Sequence, residues 1–103
     1  GKAVMASHNT VLNRPMHANP YVVNSILRAE FGFGDGYVIS DCNDVPALLA
    51  FRTAANLSHA AAKAIIGGVD LDLQCGSQSG YTHLNEAISD GTVTLEAVRR
   101  SAR

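Results

Sequence analysis

The sequence lacks an excess of charge of either sign and lacks long hydrophobic runs. Eight Lys or Arg residues face nine Asp or Glu residues, and the formal net charge is -1. No basic patch is therefore available to neutralise a phosphate backbone, so nucleic-acid binding is not expected. Val45–Phe51 is among the longest apolar runs and is far shorter than the roughly 20 residues that span a bilayer. No membrane partner is expected.

Cysteine is scarce and tryptophan is absent. The two cysteines can form one bridge or remain two thiols, but they cannot build a disulfide framework. Hydrophobic residues make up 47% of the 103 residues and charged residues 17%. This composition excludes a disordered tail, which needs low hydrophobicity and high net charge.

Strand and helix signals alternate along the chain. Short apolar and β-branched runs indicate buried strands, and apolar residues at helical spacing after capping residues indicate helices. The predicted strands are Lys2–Ser7, Tyr37–Ser40 and Val69–Leu73. The predicted helices begin at Asn19-Pro20, Asp44, Ser58, Thr82 and Thr94, and the first four end near Glu30, Phe51, Gly67 and Gly91. In the third helix, the residues expected to pack inward are Ala61, Ala62, Ile65 and Ile66. The alternation predicts an α/β fold with parallel strands and right-handed crossovers.

Reactive residue types follow all three predicted strands. Ser7-His8, Asp41-Cys42 and Gln74-Cys75-Gly76 stand at the three carboxyl ends. In parallel α/β folds these ends meet at one edge, where the chemistry collects. Three strands leave an open sheet, whereas a closed barrel of this kind takes about 250 residues. We therefore expect the chain to be a piece of a longer protein.

A long and specific set of motifs occupies residues 4–42, VMASHNTVLNRPMHANPYVVNSILRAEFGFGDGYVISDC. This stretch resembles the latter part of the catalytic barrel of glycoside hydrolase family three, the β-glucosidases and β-xylosidases. The later stretches GVDLDLQCG and THLNEAI are also similar to that family. The resemblance implies a partial (β/α)₈ TIM-type barrel made of about the last three β/α units. Residues 1–103 would then be the C-terminal portion of the family's N-terminal barrel domain.

The resemblance implies that Asp41 is the catalytic nucleophile. A retaining glycosidase needs a carboxylate about 5 to 5.5 Å from a second carboxyl group, so that it can attack the anomeric carbon and form a glycosyl-enzyme. The end of a strand suits an ionised carboxylate aimed at substrate. The alternative interpretation of Asp41 is a strand-end cap.

The resemblance also implies that Met5 and His8 lie near the bound sugar. Core packing is the alternative for Met5, because Met fills irregular gaps. His8 stands where Tyr is commoner, and a structural histidine is its alternative. For His17 we expect a structural hydrogen bond, and for the two remaining histidines, His59 and His83, surface positions.

Cys42 stands where many family members carry Trp, so a stacking platform for the next sugar is missing. In the β-xylosidase-like branch, cysteines at places comparable to Cys42 and Cys75 can pair beside the sugar. Such a bridge would narrow the space for the hydroxymethyl group of glucose and favour xylose. The alternative is two small buried thiols. The turn Gly32–Gly36 has one residue more than the usual turn of the family, and this also resembles the β-xylosidase-like branch.

Asp70 and Asp72 alternate on the third predicted strand and share a face. Two like charges there need partners, and we expect a structural role. The Asn56-Leu57-Ser58 sequon is equally well explained by Ser58 capping its helix.

The resemblance implies an oligosaccharide or β-glycoside substrate and no cofactor, and it favours an extracellular or periplasmic location. The other expected partners are the missing barrel strands and a C-terminal domain, because the upstream sugar-binding residues and the general acid/base are absent. The 103 residues alone are therefore expected to be inactive. Two alternatives remain: a non-catalytic α/β module, or a metal or thiol site built from His8, Cys42 and Cys75.

Overall fold

The computed structural model describes residues 3–7, 9–11, 13–34, 36–42, 44–50, 52–73 and 80–102. Its strands are β1 (Ala3–Met5), β2 (Thr10–Val11), β3 (Arg14–Pro15) and β4 (Tyr37–Ile39). Its α-helices are α1 (Asp44–Ala50), α2 (Leu57–Ile66), α3 (Leu84–Ser89) and α4 (Leu95–Ala102). A π-helix spans Tyr21–Glu30, and short 3₁₀ helices span Met16–Ala18 and Tyr81–His83.

The strands β1 and β4 pair in parallel, with Ala3 opposite Tyr37 and Met5 opposite Ile39. The segment 69–73 runs along the other side of β4, where Leu71 forms a parallel bridge with Ile39. The predicted third strand is therefore wrong in extent, because only this bridge is formed along it among the described residues. Its direction agrees with the prediction, and all three segments end at the same edge.

The apolar core fills the space between these segments and the helices. Val38, Val45, Leu48 and Val69 are all 1% exposed or less. Four alanines on α2 are fully buried: Ala60, Ala61, Ala62 and Ala64. Their small side chains let α2 pack closely against the neighbouring elements. Ile66 is 46% exposed, so the prediction that it packs inward is wrong.

Local signals predict most helix starts. The Asn19 side chain accepts a hydrogen bond from Val22 N at 3.3 Å, as expected of a cap before Pro20. Thr94 Oγ1 accepts from Ala97 N at 3.1 Å and caps α4. The cap of α2 is Asn56, whose Oδ1 accepts from His59 N at 2.9 Å, so the prediction of Ser58 as the cap is wrong.

Two features differ from the predicted outline. No strand is predicted between β1 and the π-helix, yet β2 and β3 form a small antiparallel hairpin there, with Asn13 in the left-handed region at φ 65°. Thr82 lies within the 3₁₀ turn Tyr81–His83, and α3 begins only at Leu84. The predicted end of that helix is confirmed by Gly91, whose φ is 75°.

Candidate functional site

The candidate site lies at the carboxyl edge of the parallel segments. Ser7 follows β1 and Asp41 follows β4, and Ala6 N donates to Ile39 O at 2.9 Å between them. His8 and the 74–79 segment, which includes Cys75, lie outside the described residues. Of the predicted site residues, the structure therefore places Met5, Asp41 and Cys42.

Asp41 is half-buried, and hydrogen bonds hold its backbone on both sides. Its N–H donates to Asp44 Oδ2 at 3.1 Å, and its carbonyl accepts from Ser40 Oγ at 3.0 Å. Its own Oδ1 accepts from Cys42 N at 2.7 Å. These contacts fix the backbone of Asp41, whose carboxylate lies at the end of the strand.

Ser40 ties the end of β4 to the neighbouring segment. Its buried hydroxyl accepts from Leu73 N at 2.9 Å and lies 3.3 Å from Asp72 Oδ1. The other oxygen of Asp72 accepts from Gly80 N at 2.9 Å and from Tyr81 N at 3.2 Å. Asp72 therefore organises the chain below the rim, in agreement with the structural role expected for it.

Asp70 has its partners at the opposite end of the sheet. Arg28 Nη2 lies 2.5 Å from Asp70 Oδ2, which also accepts from Val38 N at 3.0 Å. Arg28 donates further to the carbonyls of Gly36 and Gly68, each at 3.0 Å. A recess of about 670 Å³ opens beside this pair, at the amino ends of the strands and away from Asp41.

His17 and Asp44 meet behind Asp41. They are 3% and 5% exposed, and His17 Nε2 lies 2.9 Å from Asp44 Oδ2. His17 is therefore a buried residue within ion-pair distance of Asp44, and the structural hydrogen bond expected for it stays a prediction. Asp44 had no predicted role beyond opening a helix, although an acidic residue three positions after the candidate nucleophile was a signal for it.

Met5 is 55% exposed, so it does not pack in the core of the described residues. His59 accepts from Ala55 N at 3.0 Å through Nδ1. His83 Nδ1 lies 3.5 Å from the carboxylate of Glu86 at the surface. Neither histidine lies at the rim.

Cys42 is exposed at the rim and is disulfide-bonded. The chain has one other cysteine, Cys75, which lies outside the described residues. A sulfur in a disulfide is not a thiolate and does not ligate zinc, which counts against the metal-site alternative. The described residues contain no group of three side chains that could hold a metal ion.

The pKa of Tyr81 clearly departs from its ordinary value. Burial raises the pKa of Tyr81 well above 10.0, and the carboxylates of Asp72 and Asp70 raise it further. The hydroxyl donates to Val69 O. Tyr81 is therefore a neutral hydrogen-bond donor that joins the 3₁₀ turn to the core.

Within the described ranges, no helix combines the length and the apolar character needed to cross a membrane.

Parallel strands with helices between them, and a carboxylate at a strand's carboxyl end, define the molecule as an α/β protein with its candidate site at the sheet edge. The family model for the glycosyl hydrolase family 3 N terminal domain matches residues 1–103. The chain belongs to glycosyl hydrolase family 3.

Similar proteins include glycosidases of two kinds. A probable exo-1,4-β-xylosidase of Aspergillus japonicus is 39% identical over 98 residues, which cover 93% of this chain and 12% of the relative. The structure of a family 3 exo-β-xylosidase in complex with a xylobiose aziridine activity-based probe has a TM-score of 0.85 and 33% identity. The match covers 97% of this chain and 13% of that protein.

A β-glucosidase from Listeria innocua in complex with glucose has a TM-score of 0.86 at 30% identity, over 97% of this chain and 14% of the other. The chain thus spans only about an eighth of the length of the proteins it matches.

Proposed function

We propose that this chain is part of a longer retaining, exo-acting β-glycosidase that hydrolyses terminal β-linked sugars, with Asp41 as the nucleophile. The position of Asp41 carries the proposal. It is an ionisable side chain at the carboxyl end of a parallel strand, half-exposed at the rim and held by its backbone. The membership of glycosyl hydrolase family 3 supports the assignment of this carboxylate to glycoside hydrolysis.

In the proposed reaction, the Asp41 carboxylate attacks the anomeric carbon and forms a covalent glycosyl-enzyme, while an acid outside this chain protonates the leaving oxygen. Water, deprotonated by the same group, then releases the sugar. The described residues would act as about the last three β/α units of a barrel, and Met5 would lie beside the sugar with His8, Cys42 and Cys75.

For the sugar, we favour a β-xyloside over a β-glucoside. The observation behind this choice is the disulfide at Cys42, next to the proposed nucleophile. A bridge at this place reduces the room for the hydroxymethyl group that glucose has and xylose lacks. The relatives include both a β-xylosidase and a β-glucosidase, so the preference is measured as the ratio of kcat/KM for nitrophenyl β-xyloside and β-glucoside.

The substitution Asp41→Ala in the full-length protein tests the role of Asp41. Without the carboxylate no glycosyl-enzyme forms, so we expect kcat to fall by about four orders of magnitude or more while the protein remains folded. The matched control is Asp90→Ala, which removes an exposed carboxylate at the end of α3 and should leave kcat unchanged. Activity of Asp41→Ala within about tenfold of the wild type would exclude Asp41 as the nucleophile.

A further inference from the structure

Two buried ionisable side chains, His17 and Asp44, lie directly behind Asp41. They come from distant parts of the chain, since His17 lies in the 3₁₀ turn Met16–Ala18 and Asp44 begins α1. Burying a carboxylate costs free energy unless polar partners compensate it. Two polar groups lie against the Asp44 carboxylate: the imidazole Nε2 of His17 lies 2.9 Å from Asp44 Oδ2, and the carboxylate also accepts a hydrogen bond.

That hydrogen bond comes from Asp41. Asp41 N–H donates to the same Oδ2 atom of Asp44 at 3.1 Å, and Asp44 N lies 3.4 Å from Asp41 O. The turn between the two residues is therefore closed from both ends. The position of the Asp41 side chain depends on its backbone. The Asp44 carboxylate, which holds that backbone, therefore helps to fix the position of the Asp41 carboxylate.

The turn that carries His17 is itself firmly held. Asn19 Nδ2 donates to Val11 O at 2.9 Å, which ties the turn to the β2–β3 hairpin. On its other side the turn packs against the end of α2 so closely that a Cβ at Gly67 would lie 3.0 Å from His17 O. These contacts hold the turn that carries His17, and the imidazole of His17 in turn contacts Asp44.

We propose that His17 and Asp44 are positioning residues that hold Asp41 in the geometry for attack on the sugar. This inference rests on the proposed role of Asp41 as the nucleophile. Neither side chain touches substrate in this proposal, and both act through the backbone of Asp41. A carboxylate accepts a hydrogen bond more strongly than a neutral group does, and displacement of a reacting group by about 1 Å can cost about 10²-fold in rate.

The test uses Asp44 variants of the full-length protein. For Asp44→Ala we expect kcat to fall about 10- to 100-fold with KM changed by less than about threefold, because attack is impaired more than binding. Asp44→Asn keeps an oxygen that accepts from Asp41 N–H, so kcat should recover to within about fivefold of the wild type. Rates are expressed per active site, counted by trapping the glycosyl-enzyme with a 2-fluoro xyloside.

His17 provides an independent pair of variants, which decides the matter where Asp44→Ala does not fold. His17→Leu removes the polar partner of Asp44 and should lower kcat about tenfold. His17→Gln can place its amide nitrogen near the same oxygen and should restore most of the rate. The matched control is Asp70→Asn, which disrupts the Arg28–Asp70 pair at the opposite end of the strands and should lower stability but not kcat per site.

Each other outcome overturns the inference. Equal rates per site for wild type and Asp44→Ala, or for wild type and His17→Leu, would show a purely structural role. An equal loss in Asp44→Ala and Asp44→Asn would show that the hydrogen bond to Asp41 is not the cause. Failure of the proposed function is distinct, because Asp41→Ala would then remain active. If Asp41→Ala is inactive and the Asp44 variants are normal, only the positioning role fails.

Discussion

At the scale of single residues, Tyr81 shows how burial and nearby charge act together. Its hydroxyl donates to Val69 O, and its backbone N–H donates to Asp72 Oδ2 at 3.2 Å. Burial, followed by the negative charges of Asp72 and Asp70, raises the pKa of Tyr81 well above 10.0. The hydroxyl of Tyr81 therefore stays protonated to a higher pH in the folded state than in the unfolded state.

This difference predicts a loss of stability in alkali. Below pH 10.0 Tyr81 is protonated in both states, and its contribution to stability is fully present. As the pH rises from there towards the raised pKa, the unfolded state ionises first, so the free energy of unfolding decreases. In the full-length protein, Tyr81→Phe should flatten the fall in the unfolding midpoint above about pH 10.

The control for Tyr81→Phe is Tyr21→Phe, because Tyr21 is 55% exposed. That variant should follow the wild type at every pH. If Tyr81→Phe loses stability with pH as steeply as the wild type does, ionisation of Tyr81 is not what weakens the fold.

At the scale of elements, the start of α2 illustrates how a cap is assigned. Asn56 Oδ1 accepts from His59 N at 2.9 Å and from Ser58 Oγ at 2.7 Å. The backbone donor at the helix end is therefore satisfied by Asn56, and Ser58 is already inside the helix. A side chain that accepts from a free N–H at a helix start contributes about 1 kcal/mol.

We expect Asn56→Ala to lower the free energy of unfolding by about 1 kcal/mol and to speed amide exchange at His59. Ser58→Ala should cost less, since its hydroxyl donates to Asn56 and binds no backbone N–H at this end. The conservative control is Asn56→Asp, which keeps the accepting oxygen. If Ser58→Ala lowers the free energy of unfolding more than Asn56→Ala does, Ser58 and not Asn56 is the cap.

The elements that could be predicted are those with strong local signals. Asn19 before Pro20, Thr94 and Gly91 are capping or terminating residues whose effect depends on neighbours in the sequence. The β2–β3 hairpin was missed because strands of two residues show no periodicity. The 69–73 segment has a strand-like pattern, but its pairing depends on the contact with β4, which is a tertiary property.

The candidate site divides in the same way. Asp41 could be placed at a strand end from the sequence, and the resemblance to the family suggested its role. The contacts that hold it could not be predicted, because Ser40 meets Asp72 across 32 positions and Asp44 meets His17 from another segment. Such pairs are decided by packing, and the identity of the residues alone does not specify them.

At the scale of the whole molecule, the described surface carries several exposed apolar side chains. Phe31 is 74% exposed, Met5 55% and Leu71 48%. In the described residues, β1 pairs only with β4, which leaves one edge of β1 open. Open strand edges and exposed apolar side chains favour association.

We therefore expect the 103 residues alone to be inactive and partly unfolded, associated or aggregated. Sedimentation velocity and thermal melting of the purified chain measure this directly. A monomer that unfolds in a sharp, cooperative transition would contradict the expectation. The control is the full-length protein, in which neighbouring strands should cover Met5 and the edge of β1.

The most direct test of the central claim is to identify the residue that bonds to the sugar. The full-length protein is incubated with 2-fluoro xylosyl and 2-fluoro glucosyl reagents, which trap the glycosyl-enzyme, and the labelled peptide is sequenced by mass spectrometry. We expect the label on Asp41 and faster trapping with the xylosyl reagent. A label on another residue, or no label on the folded protein with either reagent, would contradict the assignment of Asp41 as the nucleophile.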